Sequence, residues 1–139
     1  MPLDVEVERV ERDVILQLRA LAFGARGTRM ATFSRDLAPM TRHWAAMVDG
    51  AVVGCVSVMR LRGWALRGMA VSSEHRRQGI GSRLLRAVYT EVDAPMWCNA
   101  RIEAVSFYRH MGWVEVGPTF DIQDQGTHQR MTWMKHTCA

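Results

Sequence analysis

The chain has 139 residues, of which 48% are hydrophobic and 23% charged, and its net charge is +4. These values suit one ordinary domain spanning residues 1–139, able to hold a core without a disulfide or metal staple, and exclude collagen-like, disulfide-framed and low-complexity chains. No apolar run approaches the roughly 18 residues of a membrane helix, and Met1 to Asp13 is charged rather than signal-like, so a cytoplasmic setting without membrane is expected.

In chain order, Leu3 to Val7 alternates and predicts a first strand. Asp13 reads as the N-cap of a helix whose apolar positions are Val14, Leu18, Leu21 and Ala22, stopped by Gly24. Residues 25–41, punctuated by Gly27, Ser34 and Pro39, predict a loop with a short helix. His43 to Val48 and Ala51 to Arg60 then read as strands joined by Asp49-Gly50, a strong two-residue hairpin signal. Trp64 to Val71 is the next strand, and Gly68 inside it predicts a bulge or a close backbone approach to a ligand.

A polar link, Ser72 to Gln78, leads to a helix with Ile80, Leu84, Leu85 and Val88 on one face. Pro95 to Cys98 predicts a short strand, and Ile102 to Met111 a helix closed by Gly112. Two last strands, Trp113 to Phe120 and His128 to His136, flank a turn at Asp124 to Gly126. Such an order gives an α+β fold, a mostly antiparallel sheet flanked by helices.

Cys55, Cys98 and Cys138 form neither a C-x-x-C pair nor a zinc spacing, so no metal is expected. Cys55 and Cys98 lie in apolar runs, where a thiol behaves as a small buried hydrophobe. Lys135 is the only lysine, and the arginine excess suits an anionic partner, either nucleic acid or a phosphorylated cofactor.

The choice turns on Arg76-Arg77-Gln78-Gly79-Ile80-Gly81-Ser82, between a strand and a helix. Its glycines permit positive φ and let backbone approach a ligand. The helix that starts there has unpaired N–H groups and the positive end of its dipole, a ready phosphate site. No G-K-[ST] follows, so it is not a Walker loop, and the third glycine of a dinucleotide fingerprint is missing.

This segment resembles the R/Q-x-x-G-x-G/A signature of the GNAT superfamily of N-acetyltransferases. Phe107-Tyr108-Arg109-His110-Met111-Gly112-Trp113 is similar to that family's F-Y-x-x-x-G-[FW] block, and Leu66 to Val71 occupies the slot of its cofactor-facing strand. The resemblance covers residues 43–136. It implies a sheet splayed between strands 4 and 5 with acetyl-CoA, the acyl-donor co-substrate, in the gap. By the same resemblance Met69, Ala70 and Val71 line the pantetheine arm, and backbone N–H groups from Arg77 to Ser82 hold the pyrophosphate, with Arg76 at the rim. Arg101 stands where many relatives have asparagine, and Asn99 takes over that amide contact. Tyr108 matches the tyrosine beside the thioester sulfur. A phenol is a slightly weaker acid than a thiol, so hydrogen-bonding the leaving thiolate is its expected role.

Trp64 to Val71 contains no carboxylate to serve as base. Candidates are His128, Asp121, Asp124 and His43, with His128 preferred because it opens the last strand opposite the splay. Residues 20–45 and the closing hairpin are expected to build the acceptor site, with Trp44, Trp97 and Trp133 as candidates for an apolar wall. The expected activity is acetyl transfer to a primary amine of a small molecule or peptide, and a homodimer is allowed. One alternative keeps the fold as a non-catalytic acyl-CoA sensor or regulatory subunit. Nucleic-acid binding is disfavoured, because the arginines are scattered from Arg9 to Arg130 without a nucleic-acid motif.

Overall fold

A computed structural model describes residues 4–23 and 32–134. Its elements run β1 (Val5–Val10), α1 (Arg12–Phe23), β2 (Arg42–Val48), β3 (Ala51–Arg60), β4 (Trp64–Val71), α2 (Ile80–Glu91), β5 (Met96–Arg101), α3 (Val105–His110), β6 (Val114–Glu115), β7 (Phe120–Ile122) and β8 (Gly126–Trp133). Short 3-10 turns at Ser73–His75 and Ile102–Ala104 precede α2 and α3. The strand order is β1-β2-β3-β4-β5-β8-β6, with β7 also paired to β8. Every pairing is antiparallel except β4 with β5.

The hairpin turn holds as predicted: Val48 pairs with Ala51, and Asp49 and Gly50 take φ of 50° and 79°. Both central residues of such a turn lie at positive φ, which is why Asp-Gly selects it. Alternation then assigns the two sheet faces. Trp44, Ala46, Val56 and Val58 meet Ile80, Leu84, Leu85 and Val88 of α2 in the main core, joined by Val105 and Tyr108 of α3. Ala45, Cys55 and Ala70 face the other way, onto Ile15 and Leu18 of α1. Arg67 pairs directly across from Ser57, two residues along from Cys55, so it too projects on the α1 face.

Some expected boundaries move. Asp13 is not the cap: α1 already includes Arg12, and Asp13 sits in the first turn, 3.3 Å from the Arg12 guanidinium. The buried stripe of α1 is Ile15, Leu18 and Arg19, while Val14 and Leu21 are exposed. A charged residue on the buried face defeats a periodicity count that scores only apolar positions. Residues 32–41 form successive turns rather than a helix. The expected strand Trp113 to Phe120 divides into β6 and β7 because Gly117, at φ 74°, and Pro118 interrupt it. Gln129 spans the break, its side-chain amide donating to Val116 O and Gly117 O. The strand start at Leu3, the stop at Gly24, Gly27, the strand end at His136, Lys135 and Cys138 lie outside the described residues.

Candidate active site

The two central strands meet only at their beginnings. Trp64 pairs with Met96 and Ala65 with Trp97, and beyond that β4 and β5 part. The indole of Trp97 pins this vertex by donating to Leu61 O and Arg62 O, at 2.9 and 3.1 Å. Past Ala65, β4 has no strand on its β5 side, so the backbone groups of Leu66 to Val71 that point into the gap have no ladder partner. Gly68 lies at φ 69°, where the β3 register slips, and it is the predicted bulge. An added Cβ there would stand 2.9 Å from Cε2 of Phe33, whose ring packs against the strand.

At the open end of the gap, β4 runs through the 3-10 turn into Arg76, Arg77, Gln78 and Gly79, all exposed. Arg77 and Gly79 take positive φ, 63° and 77°, and Gly79 caps α2. Nothing lies within 4 Å of the Cβ position of Gly79. The first N–H groups of α2, from Ile80, Gly81 and Ser82, have no partner within the helix and face outward along its axis. The expectation of positive φ at both glycines needs amending. Gly81 is an ordinary helical residue, and its missing Cβ matters because Phe107 Cζ would lie 3.0 Å away. The Ile80 side chain belongs to the core, leaving only its backbone to a ligand.

A cavity of about 650 Å³ occupies the gap and reaches both sheet faces. On the α3 side it is lined by Phe107, Tyr108 and Cys98. Tyr108 is buried, and burial pushes its phenol well above the ordinary range, with the neighbouring Cys98 and Tyr89 adding to the effect. Burial also pushes the Cys98 thiol up to about 12 and that of Cys55 up to about 11. Both therefore stay protonated, as the apolar setting of these cysteines predicts.

On the α1 side the cavity meets Phe33, Arg67, Asn99, Arg101, His128 and Arg130. The β5–β8 register sets Asn99 opposite Arg130 and Arg101 opposite His128, on the face that Trp97 shares. His128 is buried, stacks on Phe120, and bonds through Nδ1 to Gly126 O at 2.9 Å. A carbonyl only accepts, so Nδ1 carries the hydrogen, and Nε2 of the neutral ring holds a lone pair. Asn99 Oδ1 accepts from Arg130 Nε at 2.9 Å, so the oxygen of that amide is already engaged.

Of the four base candidates, only His128 borders the cavity. Asp121 accepts from Thr127 on the exposed hairpin, and Asp124 sits at the turn with φ 65°. His43 is built into a buried network instead. Its Nε2 donates to Asp36 O at 3.0 Å, and its Nδ1 accepts from the Ser57 hydroxyl at 2.6 Å. Arg19 completes the network, donating to Ser57 Oγ at 2.7 Å and to Asp36 Oδ2 at 2.8 Å. Trp44 and Trp133 are likewise removed from the site, bonded to Glu91 and stacked on Tyr89 respectively, and only Trp97 lines the cavity.

Sequence reasoning missed this network, Phe33 and the gathering of arginines scattered along the chain. Phe33 lies between Arg19 and Arg67, whose guanidiniums are 4.1 and 4.4 Å from its ring centre. The available signal was the alternation of β5, in which Trp97, Asn99 and Arg101 share one face and Cys98 and Ala100 the other.

Residues 22–135 match the family described as an acetyltransferase (GNAT) domain. An uncharacterized N-acetyltransferase of Bacillus subtilis, YitI, is 29% identical over 108 residues, 69% of this chain and 72% of that protein. Among solved structures, Escherichia coli ElaA superposes with a TM-score of 0.78 at 17% identity, covering 93% of this chain and 99% of its own. An aminoglycoside 6'-N-acetyltransferase complexed with coenzyme A superposes with a TM-score of 0.77 at 15% identity, covering 96% and 99%. At those identities the two structures speak for the fold alone.

Proposed function

Since the chain belongs to the GNAT acetyltransferase family, we propose that it moves an acetyl group from acetyl-CoA to a primary amine by direct attack in a ternary complex. The observation that carries this reading is the gap between β4 and β5, which share two residue pairs and then part. An extended pantetheine arm fits the open edge as an added strand would, with Met69, Ala70 and Val71 offering backbone groups. The diphosphate falls to the segment Arg76 to Ser82, where helix N–H groups and two guanidiniums face solvent together. The coenzyme A complex of the aminoglycoside acetyltransferase, a protein of the same fold, supports the assignment.

In the reaction the amine lone pair attacks the thioester carbonyl carbon. A C–N bond forms, the C–S bond breaks, and coenzyme A leaves as thiolate. Backbone N–H groups of β4 near Met69 to Val71 steady the carbonyl oxygen as it gains charge. His128 Nε2 takes the proton that the amine sheds, directly or through one water. Tyr108 hydrogen-bonds to the departing sulfur, and its raised pKa keeps it a donor. Transfer through Cys98 is disfavoured, because the thiolate is the nucleophile and a thiol at about 12 supplies little of it.

The test is release of the coenzyme A thiol, followed with a thiol reagent, as amine concentration is raised. Amine-dependent release is expected. A folded chain that binds acetyl-CoA yet releases none with any amine would point to an acyl-CoA sensor instead.

A further inference from the structure

The acceptor side of the gap carries charge that the transfer chemistry leaves unused. Arg62, Arg67, Arg101 and Arg130 line the cavity, and no aspartate or glutamate among the described residues does so. The segment Arg76 to Ser82 does not line it, so this charge is separate from that assigned to the diphosphate. Arg67 and Arg130 form no ion pair with a carboxylate among the described residues.

Arg67 is half-buried, and it shares the Phe33 ring with a second guanidinium, that of Arg19. Asp36, the nearby carboxylate, is already held by Arg19 at 2.8 Å. Burial first, and the Arg19 charge second, lower the pKa of Arg67, with Asp36 opposing. A partly desolvated cation without a counter-charge costs free energy unless an anion meets it. Arg130 is braced in place by its bond to Asn99 and by the Trp97 ring, 4.3 Å from its guanidinium carbon. By strand register it projects on the face that carries His128 and Arg67.

We infer that the acceptor is an amine bearing its own anion, a carboxylate or a phosphate monoester, held on the Arg67 and Arg130 face with its amino group toward His128. The inference rests on the acyltransferase reading. Phe33 and Trp97 offer aromatic walls to the body of such a molecule. The same positive field disfavours the ammonium form of the acceptor, which eases proton removal beside a strand that has no carboxylate. A polyamine meets like charge at this face.

Two matched pairs separate the anions: L-phenylalanine against L-phenylalaninamide, and O-phosphoethanolamine against ethanolamine, with spermidine as the cationic control. With acetyl-CoA saturating, the anionic member of at least one pair is expected to show kcat/KM about tenfold or more above its neutral partner. Preference in the first pair identifies a carboxylate, and preference in the second a phosphate. Arg67→Gln and, separately, Arg130→Gln should bring that ratio toward one, mainly through KM of the anionic acceptor. A tie or a reversal in both pairs, lack of turnover included, overturns the inference, as does spermidine as the best acceptor. Calorimetry with acetyl-CoA on the same samples separates the two failures. Retained binding with turnover of any amine in the panel leaves the acyltransferase reading standing, retained binding without turnover points to the sensor, and absent binding removes both.

Discussion

At Tyr108 a phenol is packed edge-on between Phe107 and Trp113, with ring centres 5.2 and 5.5 Å away, and still borders the cavity. Packing of that kind fixes the hydroxyl without a flexible side chain, and burial holds its proton on. The phenol therefore stays a donor throughout the range in which an assay is practical, and no alkaline loss of rate is expected from it. Tyr108→Phe keeps the packing and removes one hydrogen bond to a developing charge, worth about 1.5–3 kcal/mol. The expected result is a fall in kcat of roughly ten- to a hundredfold, with acetyl-CoA affinity retained. A variant as fast as the parent would remove Tyr108 from the chemistry. The helix that carries Tyr108 was legible from its apolar spacing and glycine stop, whereas the role proposed for the phenol came only through resemblance. Arg19 was the opposite case, a charge buried on a face that periodicity assigns to solvent.

The elements are tied together by polar groups as much as by apolar ones. Arg19 of α1, Asp36 of the following loop, His43 of β2 and Ser57 of β3 form one buried network, and Phe33 leads from it to β4. Regular elements such as β3, β4 and α2 were legible because their patterns are local. The network was not, because a buried Arg–Asp pair draws residues from distant segments and has no spacing of its own. Its one titrating member near neutrality gives it a pH signature. Burial, the largest cause, lowers the His43 pKa below 6.5, helped by Arg19 and Arg9, while its bond to the Asp36 carbonyl and the Asp36 charge oppose. The unfolded chain then binds the proton more readily than the fold, so stability rises with pH across this range. Stability is full above pH 6.5 and is lost as pH falls through the lowered value. Urea midpoints for the parent should therefore drop between pH 7.5 and 5.5, and His43→Gln should drop less. Equal drops in both proteins would assign the effect elsewhere.

Across the whole molecule, one departure from a regular sheet creates the site. Six pairings are antiparallel, and the single parallel one, β4 with β5, closes for two residue pairs only. The gap opens toward the N-terminus of α2, and α3 and the β7–β8 hairpin border the cavity within it through Tyr108 and His128. The splay was legible only through resemblance, since nothing in the residues of β4 states where its neighbour will leave it. The loop proposed for the diphosphate was picked out by its own chemistry, two glycines and two arginines at a helix start. The arginine-lined face proposed for the acceptor was not, because its arginines come from three strands and the β3–β4 turn. The most direct test of the account is a calorimetric titration of acetyl-CoA into the parent and into a Gly79→Asp/Gly81→Asp variant, with folding of both verified by circular dichroism. Micromolar binding by the parent and its loss in the variant are expected, since a carboxylate at position 79 then faces the diphosphate at the helix terminus, while a side chain at 81 crowds Phe107 beside it. A folded parent that ignores millimolar acetyl-CoA, or a variant that binds it as the parent does, would contradict the account.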